Sequence, residues 1–147
     1  MPINCKLKAV GIDGKIASCI ESWLNGRQQR VIINGSVSSW SLVKSGVPQE
    51  SVLKPLLFLI FINDLDDGIS GIIHKFAVDI KLMGKVGRVD EIEKLRGDLK
   101  KLGAWSKEWQ MVFNADKCMV LHFGHNNGQV HYVMDGNILE SVEEERD

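Results

Sequence analysis

The sequence predicts an α+β fold, an antiparallel sheet with helices packed against it. Three observations carry that prediction. Two stretches keep the three- and four-residue apolar spacing of amphipathic helices. Several short runs rich in β-branched residues are separated by turn dipeptides, most clearly Asp135-Gly136. A third apolar run, residues 56–62, is far shorter than the roughly 20 residues needed to cross a bilayer, so it reads as a buried helix and no membrane is expected as a partner.

The first helix is placed over residues 14–24, where Ile16, Ile20, Trp23 and Leu24 share one face. Asp13 is positioned to cap it and Asn25-Gly26 to end it. Residues 29–34 and 40–44 then read as strands joined by a polar turn near Gly35-Ser36. Arg27 and Arg30 begin this pairing and are able to meet phosphate, although solvated side chains are the plainer reading. Ser51 is expected to cap the next helix, Pro55 is tolerated in its first turn, and apolar residues at nearly every position to Ile62 predict burial on most sides. That helix is the expected centre of the core.

Beyond it, Asn63, Asp64, Asp66 and Asp67 crowd the helix end. Carboxylates there oppose the helix dipole, and a solvated loop is preferred to a metal site. Residues 71–77 and 80–85 read as strands around Val78-Asp79. From Asp90 the pattern is helical again, with Ile92, Leu95, Leu99, Leu102, Trp105 and Trp109 in register and Asp90 with Glu93 resembling a capping box. Lys94, Arg96, Lys100 and Lys101 form its outer face, read as solvated, and the two tryptophans are assigned to the core. A strand over 117–123 and a hairpin between 130–134 and 137–140 complete the pattern, ahead of the acidic run Glu143-Glu144-Glu145. No repeat, linker or second domain is visible.

Composition bounds the chemistry. The chain has 147 residues, enough for one domain with a sizeable core. Its 18 basic and 19 acidic residues give a formal charge of -1, so no general basic field exists to gather nucleic acid. Cys5, Cys19 and Cys118 are an odd count without scaffold spacing, which predicts free thiols in a reducing, intracellular compartment. Cys118, His122, His125 and His131 offer zinc-type ligands, but their spacing matches no familiar structural site.

The motifs are more specific than the composition. Residues 45–55 read Ser-Gly-Val-Pro-Gln-Glu-Ser-Val-Leu-Lys-Pro, the apolar run leads into Asn63-Asp64-Leu65, and the hairpin reads Lys75-Phe76-Ala77-Val78-Asp79. Further along come Trp105-Ser106-Lys107-Glu108-Trp109-Gln110-Met111 and Phe113-Asn114-Ala115-Asp116-Lys117-Cys118. Together these resemble the palm of a reverse transcriptase, an RNA-directed DNA polymerase, from a non-LTR retrotransposon of the jockey type. There the loop reads Gly-Val-Pro-Gln-Gly-Ser-Val-Leu-Gly-Pro and the hairpin Phe-Ala-Asp-Asp.

The resemblance covers nearly the whole chain and implies a partial polymerase palm, with the fingers, the upstream motif carrying another catalytic Asp, and the thumb outside it. It implies a template-primer of RNA and DNA as partner and Mg²⁺ as cofactor. Asp79 takes the catalytic and metal-binding role, while Pro48 and Gln49 lie against nucleotide and template. Three departures bear on that chemistry. Glu50 and Lys54 stand where the family has Gly, and Val78 stands where it has the first hairpin Asp. Val78 offers no oxygen ligand, and as a β-branched residue it strains the turn if φ there is positive. The expectation is therefore a catalytically inactive copy with Mg²⁺ not productively bound. The alternatives are a module that binds nucleic acid or protein, self-associating through exposed palm surface, or a translated relic without function.

Overall fold

The computed structural model describes residues 3–125 and 127–144. The chain forms two compact units whose boundary falls between Asp64 and Leu65.

In the first unit, helices α1 (Ile3–Ala9), α2 (Gly14–Leu24) and α3 (Leu53–Phe61) surround one apolar cluster. Ile3 and Leu7 meet Ile20 and Leu24 from α2 and Leu57 and Ile60 from α3. The spacing of Ile20 and Leu24 is what brings both to the buried face. Asp13 does occupy the cap position of α2, but its carboxylate takes none of the first-turn N–H groups. Lys6 is buried beside this cluster, ion-paired to Asp64 and seated over the Phe61 ring, 5.1 Å from its centroid.

The two strands expected over 29–34 and 40–44 are instead four short ones. β1 (Gln28–Gln29) pairs with β4 (Ser41–Leu42), and β2 (Ile32–Ile33) pairs with β3 (Ser36–Val37), both antiparallel. The inner turn is Asn34-Gly35, with φ of 49° and 79°, one residue earlier than expected. Two successive positive φ values define the tight hairpin turn that Asn-Gly favours.

Helix α3 departs from the expectation of all-round burial. Only Leu57 and Ile60 of this helix are buried, while Leu56 and Leu59 face outward. Three helices around a small cluster have only one face of α3 to cover. Ser51 lies one residue ahead of the cap position, yet its hydroxyl accepts from Leu53 N–H at 3.2 Å. Pro55, third in the helix, removes no helical bond, because the first-turn N–H groups have no intrahelical acceptor.

In the second unit, β5 (Ile72–Phe76) and β6 (Asp79–Met83) form an antiparallel hairpin, and α4 (Val89–Trp109) is the long helix. A 3₁₀ turn (Ala115–Lys117) leads into β7 (Met119–Leu121). β8 (Val133–Met134) pairs with β9 (Asn137–Ile138) across Asp135-Gly136, whose φ values of 49° and 86° are those of the expected two-residue turn. The expected strand 117–123 is thus shortened to β7, and its partner is β10 (Glu140–Val142), in parallel. The fold is α+β, but among the described residues its strands form five separate two-stranded ladders, four antiparallel and one parallel. The core gathers Leu65, Leu102, Tyr132, Met134 and Leu139, with Trp105 packed against it.

Helix α4 starts at Val89, one residue before the expected Asp90, so the carboxylate that accepts the Arg88 N–H is Glu91, at 3.2 Å, not Glu93. Gly103 lets α4 approach the β8–β9 turn, since a Cβ there would stand 3.0 Å from an Asp135 carboxylate oxygen. No helix among the described residues is long and apolar enough to cross a membrane.

Candidate functional site

Asp79 is the first residue of β6, directly opposite Phe76, and the turn between them is Ala77-Val78. Period-two alternation puts Ile72, His74 and Phe76 on one face with Asp79, Lys81 and Met83. That face is open: Phe76 is 81% exposed and Val78 71%, and Asp79 is exposed beside them. The other face, through Ile73, Ile80 and Leu82, packs against the core. A half-buried hairpin with an outward acidic residue at its tip is therefore what this local sequence builds.

The strain expected at Val78 falls on Ala77 instead, whose φ is 50°. Val78 is not among the residues with positive φ. A two-residue turn with only its first residue left-handed spares the β-branched side chain.

The base of the hairpin is held by a residue that the motif reading missed. Asp98 of α4 is only 1% exposed. Its carboxylate accepts the Ser70 N–H at 3.0 Å and the Gly71 N–H at 2.8 Å. Lys101, one turn on, lies 3.4 Å from the same carboxylate and donates to the Gly68 carbonyl. A Cβ at Gly71 would stand 2.7 Å from the Met83 carbonyl oxygen, so only glycine fits between this clamp and β6. The available signal was an aspartate interrupting the apolar face of a helix. Nearby, Lys75 bonds Asp66 at 2.7 Å and holds its carboxyl below the usual value.

The loop residues Pro48 and Gln49 belong to the first unit and Asp79 to the second. Pro48 is half-buried and Gln49 exposed. Glu50 follows with φ of 59°, left-handed backbone that favours glycine. The loop is tied down by Arg27, whose guanidinium donates to the Leu24 carbonyl at 2.9 Å and to the Gly46 carbonyl. Arg30 stacks on Trp40, 4.5 Å from the ring centroid. Both arginines thus have intramolecular roles.

The zinc-type residues are spread apart in function. The Cys118 thiol donates to the Asn114 carbonyl at 3.2 Å and burial pushes its pKa up. His122 lies 3.3 Å from the Ser141 hydroxyl. Among the described residues no three His, Cys, Asp or Glu side chains gather as a metal site. Glu145, of the acidic run, lies outside the described residues.

A family model described as reverse transcriptase (RNA-dependent DNA polymerase) matches residues 2–136. The RNA-directed DNA polymerase from mobile element jockey of Drosophila funebris is 32% identical over 113 residues, 71% of this chain and 12% of that protein. The probable RNA-directed DNA polymerase from transposon BS of Drosophila melanogaster is 32% identical over 107 residues, 67% of this chain and 12% of that protein. The chain thus spans about one-eighth of the length of these relatives. No solved structure gives a significant match.

Proposed function

Because the chain belongs to the reverse transcriptase (RNA-dependent DNA polymerase) family, we propose that it is a retrotransposon polymerase segment whose own hairpin does not support nucleotide addition. The observation that carries this is the tip of the β5–β6 hairpin, where the residue before Asp79 is a hydrocarbon.

Polymerases stabilise the attacking and leaving oxygens of phosphoryl transfer with two metal ions roughly 4 Å apart. Mg²⁺ is held by carboxylates, phosphate oxygens and water, so a pair of ions needs several converging oxygens. The tip supplies one carboxylate, Asp79, flanked by Val78 and facing Phe76. Those residues do not fit a pair of ions. Loss of a single preorganised electrostatic donor typically costs about a hundred- to a thousand-fold in rate, and a missing metal ligand costs more.

On this reading Pro48 and Gln49 are the residues that meet nucleotide and template. Glu50, exposed next to them, brings a negative charge and a side chain toward a polyanion, which weakens binding by repulsion. Lys54 returns a positive charge nearby without returning the space.

The test is templated primer extension with Mg²⁺ by the purified chain. Neither the chain nor its Val78→Asp variant is expected to extend the primer. Extension by the unmodified chain that disappears in Asp79→Ala would overturn the proposal.

A further inference from the structure

The outer face of α4 carries a feature separate from the hairpin tip. Arg96 and Lys100 lie one helical turn apart and so share a face. The chain leading into β8 crosses that face, and His131 and Val133, two residues apart, point to the same side of it. Glu93, Arg96, Lys100, His131 and Val133 together line a groove of about 270 Å³.

The groove is polarised. Among the described residues that line it, Glu93 is the one acidic residue, and it is engaged by Arg96 at 2.7 Å. Arg96 is held further by the His131 carbonyl, which accepts from its other terminal nitrogen at 3.4 Å. These two contacts fix the guanidinium and neutralise the carboxylate, which lowers the ordering cost of binding. Lys100 Nζ and the His131 ring have no hydrogen-bond or ion-pair partner among the described residues. The groove therefore presents a fixed guanidinium beside an ammonium and an imidazole with unused donors, over the hydrocarbon of Val133. That donor set suits a tetrahedral oxyanion, which accepts from several directions at once.

We propose that the groove between Arg96, Lys100 and His131 is a phosphate-group site. Either an inorganic phosphate or a phosphodiester of a nucleic-acid backbone presents the chemistry it recognises. The site stands on unit-two geometry alone and does not depend on the hairpin's catalytic state.

The experiment is a ¹H–¹⁵N chemical-shift titration of the full chain, with inorganic phosphate in one arm and a short RNA–DNA duplex in the other. Saturable shifts confined to residues 93–100 and 131–133 are expected in at least one arm. They should weaken about tenfold in Lys100→Gln and in His131→Gln, the effect of one charge-assisted contact, and remain in Lys85→Gln. Shifts with the duplex alone would identify a backbone phosphodiester as the source, and shifts with phosphate a free anion. Both substituted residues are at the surface, and unchanged circular dichroism verifies folding. No saturable shift in either arm, or equal response in the folded Lys100→Gln and His131→Gln variants, would overturn the site.

Discussion

Glu50 shows most directly how one side chain conflicts with the backbone beneath it. Its φ of 59° lies where an L side chain crowds the following carbonyl, at a cost on the order of 1 kcal/mol. The retrotransposon family that the loop resembles has Gly there, and the geometry supplies the reason. Glu50→Gly is therefore expected to raise the unfolding free energy by about 1 kcal/mol, less a few tenths for the added freedom of the unfolded chain. Urea denaturation checks this, and a loss of stability would mean that the carboxylate makes a compensating contact. The substitution at Glu50 was legible in the sequence, but the sign of φ was not. The sign of φ belongs to the path of the loop that precedes α3, which no short-range rule in residues 45–55 specifies.

At the level of elements, the β5–β6 hairpin depends on α4 for its anchorage. An isolated two-stranded hairpin is marginal in water, and here one face packs on the core while Asp98 binds the backbone at the hairpin base. Asp98→Ala removes a charged acceptor from two backbone N–H groups. The expected loss is about 2–3 kcal/mol, with faster amide exchange at Ser70 and Gly71. Wild-type exchange rates at both amides would contradict the clamp. The helix was legible from periodicity and the two strands from composition, although the turn is Ala77-Val78 and not the expected Val78-Asp79; the clamp was not legible. Asp98 sits 27 and 28 residues from its partners, and no local rule links an aspartate inside a helix to a particular distant turn. Helix α3 gives the complementary lesson. Its apolar run announced a buried element, but only one of its faces has neighbours to bury against.

For the whole molecule, the balance of surface matters more than any single contact. Val52, Leu56 and Leu59 stand on the open side of α3, and Ile72, Phe76, Val78 and Met83 on the open side of the hairpin, all exposed. Patches of this kind promote association. Light scattering is expected to show a mass that grows with protein concentration, along with binding of a hydrophobic dye. A monomer at all concentrations without dye binding would contradict this.

By itself the sequence determined the three longest helices, the Asp135-Gly136 turn and the family, and it placed the Asn34-Gly35 turn one residue late. Each of those signals is written within a few neighbouring residues, by side-chain spacing or by the φ values a dipeptide tolerates. Tertiary structure alone decided the parallel pairing of β7 with β10, the burial of Asp98 and the groove that joins Arg96 to His131. These depend on which distant segments come to lie side by side, and that follows from how the chain packs its apolar faces, not from any short stretch of residues.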